Sequence, residues 1–274
     1  MHSLIYRIRV FFYRRPVLFV RYDSKQGEPV LFLHGIATDG SCWDDCKQNL
    51  KGAGYRVIVV DLLGFGKSPK PNESSYSLKE HAKSVEKTIK KLKIRQTITI
   101  VGHSMGSLIA IDIANRKKLA VKELFLCSPP IYLPKDLQKV EEDYSKTSRS
   151  KNNAYFKIYK LIANRPNVTL RAAKLASAGV SGFTLNKDTW EPFKKSLVHS
   201  IIDQNSLEEI KKIKINVNII YGIFDLLIIP KNYQLIAKKM PNVTLKKARA
   251  GHALNQSYSK FIAKQLRSSL TDKP

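Results

Sequence analysis

The chain has 274 residues, 43% of them hydrophobic, and carries 48 lysines and arginines against 22 acidic residues, a formal net charge of +26 at pH 7. That length and apolar share suit one large domain, or a core with an insertion. No stretch reaches the roughly 18 apolar residues of a spanning helix, and no small-residue cleavage site follows a clean apolar stretch, which argues against a secretion signal.

The positive field would attract anionic membranes, nucleic acids or acidic substrates. The lysines are spread along the chain, however, as at Lys83, Lys87, Lys90, Lys91 and Lys93. No nucleic-acid motif accompanies them. The expectation is a solvated lysine-rich surface with low-affinity association to polyanions or anionic membrane, and no specific nucleic-acid partner. Three cysteines without a secretion signal read as reduced thiols of a cytoplasmic protein. Cys42 and Cys46 lack a second ligand pair, so no metal site is expected.

Residues 4–20 mix large apolar side chains with Arg7, Arg9, Arg14 and Arg15. They read as a basic extension over residues 1–16 followed by a first strand over 17–22, or alternatively as an interfacial membrane anchor. Residues 30–33 form an apolar run that ends at His34-Gly35, and residues 57–60 form another that ends at Asp61. Gly66-Lys67-Ser68 imitates the end of a phosphate-binding loop, but that loop needs a glycine where Asp61 stands, and no nucleotide site is read. Ala82, Val85, Ile89 and Leu92 recur at helical spacing and predict a helix over 79–93.

Residues 97–101 are a β-branched run that predicts a buried strand. Residues 107–114 predict a buried helix. Between them stands Gly102-His103-Ser104-Met105-Gly106, a G-x-S-x-G pentapeptide in the strand–turn–helix setting of a nucleophile elbow. So tight a turn needs small residues two before and two after the serine, and Gly102 and Gly106 meet that need.

The strand over 123–127 ends at Ser128-Pro129, which offers no carboxylate. From residue 131 to residue 206 strand signals vanish, and segments 136–145, 154–163, 168–178 and 190–205 predict helices. Residues 216–222 then predict a strand with Asp225 just past its end. Residues 242–246 predict another, followed by Gly251-His252 and a helix over 258–270.

A serine hydroxyl needs a base to take its proton, and the base needs an orienting carboxylate. In this architecture the chain order is serine, acid, histidine, which selects Ser104, Asp225 and His252. All three follow the C-terminal ends of predicted strands, the edge where parallel sheets form sites. The oxyanion would be held by the amides of Met105 and Ile36. His34 is expected to shape its loop rather than transfer protons, and His2, His81, His103 and His199 read as ordinary histidines.

In these features the chain resembles the α/β-hydrolase fold superfamily, in its serine-hydrolase branch. His34-Gly35 with Trp43 nine positions after the histidine is similar to the superfamily's oxyanion loop. Asp61-x-x-Gly64-x-Gly66-x-Ser68 resembles the loop after its next strand. Together with the elbow, Asp225 and His252, the likeness runs from about Val17 to Leu270. Ser107 stands where many relatives have a second glycine, and being small should matter little. Ser104 in place of an aspartate argues against dehalogenase and epoxide-hydrolase chemistry.

The resemblance implies a mostly parallel central sheet with helices on both faces, built from residues 17–130 and 207–274, with a helical cap over 131–206. Through that cap and the oxyanion loop it points to His34, Trp43, Tyr155, Phe156, Tyr159, Leu175, Phe183, Trp190 and Phe193 as candidates for a substrate pocket. It implies an esterase-like hydrolase acting on a small-molecule ester or acyl substrate, with no cofactor. Alternatives are a carbon–carbon bond hydrolase or acyltransferase using the same triad, or a slow or non-catalytic ligand-binding protein.

Overall fold

The computed structural model describes residues 16–132, 146–176 and 180–271. The basic segment up to residue 15 and the predicted helix over 136–145 lie outside the described residues.

Seven strands form one sheet: β1 (Val20–Asp23), β2 (Glu28–Leu33), β3 (Tyr55–Val60), β4 (Ile98–His103), β5 (Val121–Cys127), β6 (Asn216–Gly222) and β7 (Val243–Ala248), in the order β1-β3-β2-β4-β5-β6-β7. β1 runs antiparallel to β3, and every other pair is parallel. The strand expected over 17–22 begins later. The amides of Leu18 and Phe19 are taken by the side chains of Thr88 and Ser68, at 2.9 Å each, and not by a neighbouring strand.

The helices are α1 (Asp44–Asn49), α2 (Leu78–Lys91), α3 (Met105–Arg116), α4 (Lys146–Asn164), α5 (Pro166–Ala176), α6 (Trp190–Ser196), α7 (Ser206–Ile210), α8 (Pro230–Lys239) and α9 (Gln256–Thr271). A 3-10 turn (Gly40–Trp43) precedes α1, and a π-helical stretch (Leu197–Ile202) follows α6. The single helix expected over 190–205 is therefore divided. The Asp203 amide reaches back five residues to the Val198 carbonyl at 2.9 Å, a wider turn than the α spacing allows.

Successive side chains of a strand point to opposite faces, and because both faces are covered both sets are apolar. Leu31, Leu33, Ile58, Val60, Ile100, Leu124, Leu126 and Ile219 enter the core shared with α2, α3, α7 and α8. Val30, Phe32, Val57, Val59, Val101, Phe125 and Ile220 enter a second core shared with α1 and α9.

The strand order reverses between β2 and β4. β2 has β3 on one side and β4 on the other, so the loops leaving their C-terminal ends part and open a crevice. Asp61 anchors this edge. It accepts from the amides of Gly40 at 2.9 Å and Lys67 at 2.8 Å, and pairs with the Arg21 guanidinium at 2.9 Å. Among the described residues of 131–206 there are helices and no strand beyond an isolated bridge between Thr38 and Phe183.

Candidate active site

Ser104 stands between β4 and α3 with φ 51° and ψ −121°, a backbone region that a residue with a Cβ rarely adopts. The flanking glycines make the turn feasible. A Cβ on Gly102 would lie 2.5 Å from the Ser107 nitrogen, and one on Gly106 2.6 Å from the His34 carbonyl oxygen. The elbow is stitched to the sheet by the Ser104 amide, which donates to the Cys127 carbonyl at 2.9 Å. Ser107 is more than a tolerated small residue: its hydroxyl donates to the Gly102 carbonyl at 2.8 Å, tying the first turn of α3 to the end of β4.

The structure brings the three residues selected from the sequence into a line. His252 Nε2 lies 3.0 Å from Ser104 Oγ, and His252 Nδ1 lies 2.8 Å from Asp225 Oδ2. A carboxylate only accepts, so Nδ1 carries the hydrogen and Nε2 is left to accept from the serine hydroxyl. Asp225 Oδ1 accepts from the Leu227 amide at 2.9 Å. Burial raises the Asp225 pKa, but hydrogen bonds from His252, the Leu227 amide and Ser128 outweigh it, so the carboxyl stays below its ordinary value. Ser128, which sits where a second acid could have stood, thus supports the Asp225 carboxylate, and its hydroxyl lies 3.1 Å from that of Tyr258.

Further tyrosines hold the loop that carries Asp225. Tyr132 donates to the Leu227 carbonyl at 2.7 Å and its oxygen lies 2.7 Å from the Tyr159 hydroxyl. Tyr155, from α4, donates to the Leu226 carbonyl at 2.5 Å. His103 also has a place that the sequence reading did not assign. Its Nε2 donates to the His252 carbonyl at 2.8 Å, and the two rings lie 5.1 Å apart. Burial pushes the His103 pKa down to about 3.

The loop after β2 lies against the elbow: a Cβ on Gly35 would sit 3.2 Å from the Ser104 Cβ. This places Gly35 and Ile36 beside Ser104, while Met105 opens α3, whose first amides have no intrahelical partner. His34 is buried and fully engaged. Its Nδ1 donates to the Gly35 carbonyl at 2.7 Å and its Nε2 accepts from the Leu62 amide at 2.8 Å. Burial lowers its pKa, which keeps the ring neutral.

A cavity of about 360 Å³ opens over Ser104 and His252. Of the pocket candidates, Tyr159, Phe183 and Phe193 line it. The others do not. His34 is consumed by its loop, and Trp43 is buried in the core beyond, with its ring 5.0 Å from Phe32. Tyr155 and Phe156 pack on Tyr132 at 5.5 and 5.8 Å, Trp190 packs on Phe193 at 5.7 Å, and Leu175 is exposed. Ile36, Ile162, Leu197, Ile201, Leu227 and Leu254 also line the cavity, and none of them is aromatic. Phe193, Leu197 and Ile201 recur every fourth residue along α6 and the π-helical stretch, and that spacing could have found them. No lysine, arginine, aspartate or glutamate stands in the wall among the described residues.

A family model of the alpha/beta hydrolase fold matches residues 28–255. Probable lysophospholipase BODYGUARD 1 of Arabidopsis thaliana is 39% identical over 126 residues, 42% of this chain and 26% of that protein. The chain thus spans about a quarter of the length of that relative. Lipase 1 of Psychrobacter immobilis is 25% identical over 232 residues, 82% of this chain and 71% of the lipase. Among solved structures, a thermophilic esterase from Thermogutta terrifontis superposes with a TM-score of 0.73 at 19% identity, covering 93% of each chain. An enol-lactonase from Burkholderia xenovorans LB400 gives 0.74 at 18%, covering 93% of this chain and 96% of its own. The family match runs from the start of β2 to just past His252 and so takes in the elbow, the Asp225 loop and the sheet between them: the chain belongs to the alpha/beta hydrolase fold family.

Proposed function

We propose that the protein is a serine hydrolase that cleaves a carboxylic ester through an acyl-enzyme on Ser104. The observation that carries this reading is the unbroken hydrogen-bonded line from Ser104 Oγ through His252 to Asp225, at 3.0 and 2.8 Å, facing a cavity. His252 Nε2 takes the hydroxyl proton as Oγ attacks the ester carbonyl. The amides of Met105 and Ile36 hold the developing oxyanion. Asp225 keeps the imidazole in the required tautomer and stabilises its charged form. The imidazolium then protonates the departing alcohol. Water, deprotonated by His252, attacks the acyl-enzyme and releases the carboxylic acid with Ser104 restored. The described residues of 146–206 act as a cap that supplies much of the cavity wall and excludes water.

The uncharged, largely aliphatic wall suits a neutral acyl group more than an acidic ketoacid, which would call for a cation. That favours ester hydrolysis over carbon–carbon cleavage. The lysophospholipase, lipase and esterase names of the relatives support the same class. The test is labelling of wild type and Ser104→Ala with a fluorescent fluorophosphonate, followed by turnover of p-nitrophenyl esters of graded acyl length. Wild type should label, Ser104→Ala should not, and turnover should peak at one length. Labelling without ester turnover would move the reading to carbon–carbon or acyl-transfer substrates. A folded wild type that does not label removes it.

A further inference from the structure

Nine large apolar side chains stand exposed among the described residues, and eight belong to three segments, α4, α5 and the loop after β6; the ninth is Phe19. Four lie in the loop after β6, led by Phe224 and Leu226, the latter 81% exposed. Ile158 and Leu161 lie on α4, and Val168 and Leu175 on α5, where their spacing of seven residues puts them on one side of the helix. Exposed apolar groups gathered in this way mark an interaction surface. α4 and the loop after β6 adjoin the cavity mouth, and α5 packs on α4. Tyr155 of α4 donates to the Leu226 carbonyl, and Ile162 and Leu227 of the same two segments line the cavity.

The charge of this region is one-sided. Residues 146–187 include nine lysines and arginines and no aspartate or glutamate. Lys151, Lys157, Lys160, Arg165, Arg171 and Lys174 are exposed and alternate with the apolar tips along α4 and α5. The core of a protein–protein interface is depleted in lysine. A lipid surface takes both kinds of group at once, aliphatic side chains at the acyl boundary and cationic heads among the phosphates.

We propose that α4, α5 and the loop after β6 form a docking face for an anionic lipid bilayer, which sets the mouth of the cavity at the lipid surface. That the substrate is a lipid ester drawn from this surface rests on the hydrolase reading; the docking does not.

The test is co-sedimentation of the full chain with vesicles of phosphatidylcholine alone and of equal parts phosphatidylcholine and phosphatidylglycerol. The anionic vesicles should bind and the neutral ones should bind far less. Leu161→Ser with Leu175→Ser should weaken partitioning about tenfold, as two partly inserted leucines are lost. Lys157→Glu with Lys160→Glu should weaken it by about tenfold or more at low salt. The same reversal at Lys90 and Lys91, on α2, should cost less than about threefold. None of these residues lines the cavity, so turnover of a soluble p-nitrophenyl ester should persist in all three variants and report intact folding. Equal losses from the two charge reversals would assign binding to net charge and overturn the docking face. So would undiminished binding of the leucine variant, or no preference for anionic vesicles. A wild type that docks but turns over no ester removes the hydrolase reading and leaves the docking.

Discussion

Ser104 is held at φ 51° and ψ −121°, and the cost of that conformation can be measured by removing the Cβ. The comparison is Ser104→Gly against Ser104→Ala, because both lose the hydroxyl and its bond to His252. A non-glycine residue in a sparsely populated backbone region stores about 1–3 kcal/mol. Glycine sheds that strain but loses about 0.4–1 kcal/mol through the greater freedom of its unfolded chain. The glycine variant should therefore be the more stable by about 1 kcal/mol, which for a chain of this size is a rise of about 2 °C in Tm. Ser107, three residues on and inside α3, provides the opposite case. There the backbone is helical, and Ser107→Gly should be less stable than Ser107→Ala by about 1 kcal/mol. Urea unfolding of the four variants reads both differences. If glycine loses to alanine at position 104 as it does at 107, the elbow is not strained and the account of the turn fails.

Asp225→Asn should lower ester turnover by about four decades while leaving the fold intact, since an amide at that site favours the wrong imidazole tautomer; a loss under about tenfold would place the orienting acid elsewhere. Gly106→Ala should destabilise by about 3 kcal/mol or more, because its Cβ would meet the backbone carbonyls of Leu33 and His34 and neither strand nor helix can yield; a urea midpoint near wild type would show that the turn has slack. Stability should fall on acidification below the ordinary histidine range. Burial holds His81 and His103 at about 3, down from 6.5, so the unfolded chain binds their protons first. Each contributes a slope of about 1.4 kcal/mol per pH unit, or about 4 kcal/mol for the pair between about pH 7 and pH 5. A denaturation midpoint unchanged over that interval would mean that both rings open to solvent.

Much of the sheet and the candidate triad could be read in the chain itself. Strand β6 was bounded correctly, and β2 through β5 to within a few residues, because a strand buried on both faces is a continuous apolar run closed by glycine or a polar turn; β7, an edge strand in which Val243 and Leu245 alternate with polar residues, was found to within two residues. Ser104 and Asp225 were legible because each follows such a continuous run, and because the glycines two places either side of Ser104 leave few other conformations for the turn; His252 was legible as the histidine just past the last strand. The hydroxyl of Ser107 and the supporting Ser128 were visible as residues but not as partners. The Ser107 bond to the Gly102 carbonyl needs the folded elbow, and the Ser128 bonds need the Asp225 loop and α9 brought beside the end of β5, which sequence spacing does not encode.

The lining of the cavity over Ser104 was decided by tertiary structure. Aromatic content selected Trp43, Tyr155, Phe156 and Trp190, yet large rings are placed by whichever core offers them the most contact, and these four pack away from the cavity. Leu197 and Ile201, in the π-helical stretch, reach it instead. The sequence by itself determined the order of strands and helices and the chemistry standing at their ends, since both follow from local patterns of apolar, small and polar residues. Only the tertiary structure decided which side chains face Ser104 across the crevice and which are left exposed around its mouth, since those depend on how segments distant in the chain close against one another.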